Sequence, residues 1–112
     1  MRSSKKRKSI VTDYEAISVF SGREAECRHH LIFGVSNRSQ ADDDGLFIPL
    51  TNDEHNLSMN GTIYQIHGNP AAEKLSKMLG QACWERHHIA ETRCTEQEAR
   101  MHFMNRYGKS YM

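Results

Sequence analysis

The chain has 112 residues, 38% of them apolar, and a formal net charge of +1. That length suits one compact domain and excludes two. No apolar run approaches the roughly 18 to 20 residues that span a bilayer. The amino-terminal MRSSKKRKSIV is basic and only briefly apolar, unlike a secretory leader, so a cytoplasmic location and no membrane partner are expected.

In chain order, residues 1–10 are expected to be a basic flexible arm and residues 11–112 a single domain. Five of the fifteen basic residues lie within residues 1–9, which hold no acid, so the rest of the chain is net negative. Such an arm either pairs with phosphates and releases counterions or is a solvated tail. Residues 11–20 are β-branched and aromatic enough for a strand or an extended lead-in, and Ser21-Gly22-Arg23 signals a turn. Residues 27–33 suit a short strand, residues 34–45 a polar loop, and residues 46–50 a second strand. Pro49 marks that strand as an edge or ends it early. The two strands make a hairpin with a long connection.

Asn52 to Gly61 is polar and turn-rich. Asn69-Pro70 then reads as a helix start, an Asn cap followed by Pro at the first helical position. Ala71, Leu75, Met78, Leu79, Ala82 and Cys83 follow a helical period to about residue 88, across a weak point at Gly80. Thr95-Glu96-Gln97-Glu98 is a capping box that starts a last helix, stopped near Tyr107-Gly108.

Cys27, Cys83 and Cys94 are odd in number and widely spaced. They argue against a disulfide framework or a cysteine-based zinc site, and free thiols are expected. Seven histidines are more notable: His29-His30, His55, His67, His87-His88 and His102. Neutral imidazole binds divalent metals and titrates near neutral pH. If the long helix packs across the hairpin, His29, His55 and His67 can converge on one ion and leave positions open for water and phosphate. Neighbouring strand residues face opposite ways, so one member of His29-His30 can ligate while the other reaches a water.

The string E-C-R-H-H-L-I-F-G, followed in order by N-R, D-G-L-F-I-P-L, E-H-N, I-H-G-N-P and a closing R-Y-G-K-S-Y-M, resembles the short phage and prophage HNH endonucleases. The likeness covers roughly residues 18–112. It implies an α+β, ββα-metal fold, a hairpin with a helix laid across it and an additional C-terminal helix. It also implies a phage or prophage protein in a bacterial host cell. By this resemblance His30 is the general base and Asn37 orients it. His29 and His55 are ligands of one divalent ion, magnesium, manganese or zinc, and His67 is a further ligand or a phosphate contact. Arg28 and Arg38 then meet the scissile strand, and the arm residues Lys5, Lys6, Arg7 and Lys8, read from their charge, are further candidate contacts to nucleic acid, DNA ahead of RNA. A second protein or a second copy of the chain is a further possible partner.

The chain departs from the family at the two cysteine pairs that hold a structural zinc. Those positions fall on Ser18 and Ser21 and on Thr51 and Glu54. No structural zinc is therefore expected. Hydrogen bonds worth about 1 kcal/mol each cannot replace a zinc worth about 10 kcal/mol. Extra core from Trp84, Phe103 and Tyr107, or a partner chain, has to compensate. His87-His88 and His102 lie outside the motif and read as surface or packing residues. The expected activity is metal-dependent cleavage of phosphodiester bonds. The alternative is a nuclease-derived protein that binds nucleic acid or a host defence protein without cutting.

Overall fold

The structure, a computed structural model, describes residues 7–34 and 36–112. It is α+β: a two-stranded antiparallel hairpin combined with four helices. Strand β1 is Cys27–His30 and strand β2 is Phe47–Leu50, in a register that sets His29 opposite Ile48 and His30 opposite Phe47. All four residues of β2 are buried. Pro49 lies inside β2 rather than ending it. Its carbonyl accepts from Val19 N–H at 3.1 Å, so Pro49 faces away from β1, where no donor is needed. The lead-in of residues 11–20 contributes one isolated bridge, Ile17 to Glu24, and no full strand.

The connection expected to be a loop contains helix α1, Asn37–Asp44. Ala41 is its one buried residue, so no apolar period announced it. Gly45 closes it in the left-handed region at φ 75°, and a Cβ there would sit 2.6 Å from the Lys8 carbonyl oxygen. The end of the expected arm is therefore docked: Ile10 N–H donates to Gly45 O at 2.9 Å and Ser9 Oγ to Phe47 O at 2.7 Å.

After β2 come the short helix α2, Asn52–His55, and a single 3-10 turn, Thr62–Tyr64. Helix α3, Pro70–Thr92, starts on the Asn69 cap, whose side chain accepts from Ala72 N–H, and runs four residues past the expected end. Its buried face also differs from the apolar period. Leu75 is 66% exposed, while Ser76, Gly80 and Gln81 are buried. Small residues let α3 lie directly on the end of the hairpin. A Cβ on Gly80 would meet Ile32 Cγ1 at 2.9 Å and Leu31 Cβ at 3.0 Å, so this glycine serves close approach.

Helix α4, Glu96–Tyr107, begins on the reciprocal Thr95–Glu98 capping box and ends at Gly108. Phe103 and Tyr107 join Ile32, Ala41 and Leu46 in one core cluster, with Trp84 packed against it. The expected extra core is thus present. Asp44 pins it from α1, accepting from Trp84 Nε1 at 3.0 Å, Tyr107 OH at 2.6 Å and Arg106 Nε at 2.6 Å. Burial, with Asp44 alongside, pushes the Tyr107 hydroxyl pKa well up. A second cluster, Leu31, Ile48, Leu50 and Ile66, lies under α2 and the start of α3. Among the described residues, no helix is long and apolar enough to cross a membrane.

Candidate metal centre

Three imidazoles meet where the hairpin, α2 and the lead into α3 join. His29 comes from β1 and is fully buried. His55 is the last residue of α2, and His67 lies three residues before α3. Backbone bonds hold the last two side by side: His67 N–H donates to His55 O, and Ile66 N–H to Glu54 O, both at 3.0 Å. One nitrogen from each of the three rings lies within 4.8 Å of the other two. Ring centroids are 5.1 Å apart for His29–His55, 5.0 Å for His29–His67 and 4.6 Å for His55–His67. Three imidazoles bound tetrahedrally at a metal–nitrogen distance of about 2.0–2.1 Å would have centroids about 5 Å apart.

The hydrogen bonds also settle which nitrogen of His29 is available. Ser76 Oγ donates its single proton to Leu31 O at 2.8 Å. The 2.7 Å contact between His29 Nε2 and Ser76 Oγ must then be donated by the ring. Nδ1 is left with its lone pair, buried and without a hydrogen-bond partner. An orphaned buried acceptor beside two other imidazoles fits a divalent ion, with Ser76 as the outer partner that fixes tautomer and ring orientation. Burial, aided by the neighbouring histidines, pushes the His29 pKa down to about 3. Burial likewise takes His55 down to about 4, with His67, His30 and Arg38 adding to it. Both rings are therefore neutral, as ligands must be, at neutral pH.

Beside the triad is a pocket of about 290 Å³, lined by Arg28, His30, Phe33, Arg38, His55, Asn56 and His67. The strand alternation sends His30 away from His29, yet its ring still borders this pocket. His30 Nε2 is 3.0 Å from Asp42 Oδ1 on α1. A carboxylate there favours the Nε2–H tautomer and leaves Nδ1 as the basic nitrogen. Asn37, expected in that orienting role, instead points its amide at the Tyr111 hydroxyl, 3.4 Å away, and is not among the lining residues. Arg28 lies over the Phe47 ring at 4.2 Å and is within 3.7 Å of Glu15 and 3.9 Å of Asp42.

Arg38 lines the same pocket, whereas Arg7 of the arm does not. Arg7 borders a separate pocket with Asp44, Trp84, His87, His88, Glu91 and Arg106. Lys8 is exposed, and Lys5 and Lys6 fall outside the described residues.

The four positions where cysteines were missed do come together. Ser18 Oγ donates to Glu54 Oε1 at 2.6 Å, and Thr51 N–H donates to the same oxygen at 2.9 Å. Ser18 Oγ accepts from Ser21 N–H at 3.2 Å, which brings Ser21 beside the Glu54 carboxylate. Arg23 closes the cluster on Thr51, Asp53 and Glu54. Burial opposes ionisation of Glu54, but the hydrogen bonds from Ser18, Thr51 and Ser21 outweigh it and hold its pKa at about 2. This polar staple immediately precedes His55 and anchors α2.

Two site residues were not anticipated. Asp42 had a faint signal, the acidic run Asp42-Asp43-Asp44. Ser76 had none, because its role exists only once α3 lies on β1. Compared with known protein families, curated proteins and solved structures, the chain matches none.

Proposed function

We propose that this chain is a metal-dependent nuclease of the HNH, ββα-metal type that hydrolyses phosphodiester bonds in nucleic acid, DNA first. One observation carries the reading: three convergent imidazoles, one with an orphaned buried nitrogen, stand beside a pocket that also holds a carboxylate-oriented histidine and two arginines. His29, His55 and His67 would hold the ion, and an all-imidazole set favours zinc over magnesium. Such an ion, when bound, supplies Lewis-acid stabilisation of the charge that builds on the phosphate and leaving oxygens. Arg28 and Arg38 bring positive charge to bind phosphate at the pocket. His30, its Nε2–H directed at Asp42, accepts the proton of the attacking water at Nδ1.

The test is supercoiled plasmid, and in parallel single-stranded DNA and RNA, incubated with purified chain and magnesium, manganese or zinc. Wild-type protein nicks at least one substrate. His30→Ala loses the activity while retaining its fold and metal. Wild-type protein inert in every combination would defeat the proposal.

A second reading, binding without cleavage, draws on Arg28. Glu15 and Asp42 already compete for its charge, which weakens its hold on phosphate. Stable DNA or protein complexes formed equally well with and without metal, and with no nicking, would favour it.

A further inference from the structure

We propose that His88, Cys94 and His102 form a second metal site, a thiolate and two imidazoles that clasp α3 to α4 around zinc. It departs from the expectation that no structural zinc is bound, and it stands apart from the His29 centre in both residues and elements. One ligand atom from each of the three residues lies within 4.8 Å of the other two. His88 Nε2 and His102 Nδ1 face each other at 2.8 Å, and their ring centroids are 5.0 Å apart at a near-perpendicular angle. Tetrahedral zinc with metal–nitrogen bonds of about 2.0–2.1 Å and a metal–sulfur bond of about 2.3 Å sets the nitrogens about 3.3 Å apart and sulfur about 3.6 Å from each. The two rings need to part by only about half an ångström and the thiol to close by no more than about 1.2 Å.

The protein holds these groups in place without the ion. The His88 ring stacks on Trp84 at 4.6 Å and 17°. Trp84 is itself fixed by Asp44 and packed edge-on against Phe103. Thr92 Oγ1 donates to His88 O at 2.8 Å and accepts from Cys94 N–H at 3.4 Å, which ties the turn back onto α3. Between them Arg93 adopts φ 60°, the one left-handed non-glycine residue among those described, and swings Cys94 towards the paired helices. His102 lies seven positions after the Thr95 cap, on the α4 face that meets His88. Cys94 and His88 are half-buried and His102 is exposed, so the fourth coordination position opens to water or to an incoming ligand.

A soft thiolate with two imidazoles is a donor set that favours zinc over the hard cations magnesium, calcium and manganese. Because the ligands come from α3, from the turn and from α4, binding closes the helical hairpin that carries Trp84 and Phe103.

Cobalt(II) reports the thiolate directly, since only a sulfur ligand gives a near-ultraviolet thiolate-to-cobalt charge-transfer band. The His29 centre contains no sulfur and cannot produce it. Metal-free full-length chain titrated with cobalt is expected to develop this band, and zinc to bleach it. Cys94→Ser abolishes it. His102→Gln, an exposed change that leaves the core intact, weakens cobalt affinity by about tenfold or more, a ligand counting for at least as much as an outer-shell partner. Zinc also slows alkylation of Cys94 in wild-type chain, and less so in His102→Gln. A plain hydrogen-bonded histidine pair beside a spectator thiol predicts no band and no protection of Cys94. Either of those results, or a band that survives Cys94→Ser, overturns the proposal.

Discussion

Replacing Ser76 by alanine isolates the contact that makes His29 a ligand. The hydroxyl is buried and makes two bonds, accepting from His29 Nε2 at 2.7 Å and donating to Leu31 O at 2.8 Å. Removing it orphans one buried donor and one buried acceptor, each costing about 1–3 kcal/mol. The metal-free protein should lose about 2–4 kcal/mol, the lower part of that combined range because the ring can move its proton to Nδ1. At roughly 4 °C per kcal/mol for a chain of this size, calorimetry will read a Tm drop of about 8–16 °C. That proton shift fills the Nδ1 lone pair, the one left open to a metal while Nε2 is bonded to Ser76. Zinc affinity of the His29 centre, measured by chelator competition on folded protein in a Cys94→Ser background that removes the thiolate of the second site, should fall about 10–100-fold, or about 1.4–2.7 kcal/mol. Undiminished zinc affinity in Ser76→Ala would refute the tautomer argument, whatever the stability change.

Three further outcomes follow from single contacts. Gly80→Ala should destabilise by about 1–3 kcal/mol despite alanine's better helix propensity, because the new methyl meets Ile32 and Leu31 at about 3 Å; urea titration reads it, and a stabilised variant would show that α3 can move off the hairpin. Asp42→Asn should lower nicking about 10–100-fold, part of what a general base supplies, without changing bound metal. It should also shift the pH–rate profile, which a purely structural role would leave in place. Glu54 binds its proton less readily folded than unfolded, so its contribution is present above the ordinary value of 4.5 and is lost as pH falls towards about 2. In chelator-treated protein, Glu54→Gln should be less stable than wild type near neutral pH, and the gap should narrow through that acid window in thermal melts.

Where an element declares itself locally, the chain's own chemistry was enough. The Asn69-Pro70 start of α3 and the Thr95–Glu98 box of α4 were legible because caps satisfy backbone groups within a few residues. The alternation in His29-His30 was legible for the same reason. Helix α1 was not, since its single buried residue, Ala41, gives no period to read. The buried face of α3 is not its apolar one, because Leu75 and Leu79 carry the apolar pattern, whereas Ser76 and Gly80 carry the packing. Shape, not hydropathy, chose the buried stripe.

The sequence by itself determined the hairpin, the two long helices and the grouping of histidines near the hairpin. Tertiary structure decided how those histidines work. It engaged Nε2 of His29 with a serine 47 positions away and left Nδ1 open, and gave His30 a carboxylate from α1 in place of the Asn37 amide. It gathered Ser18, Ser21, Thr51 and Glu54 into a polar staple, and brought Cys94 beside the His88–His102 pair. The reason is range. Caps and strand alternation act over two to four residues and leave a mark in the chain, while a donor set assembled from separate elements exists only once they have packed.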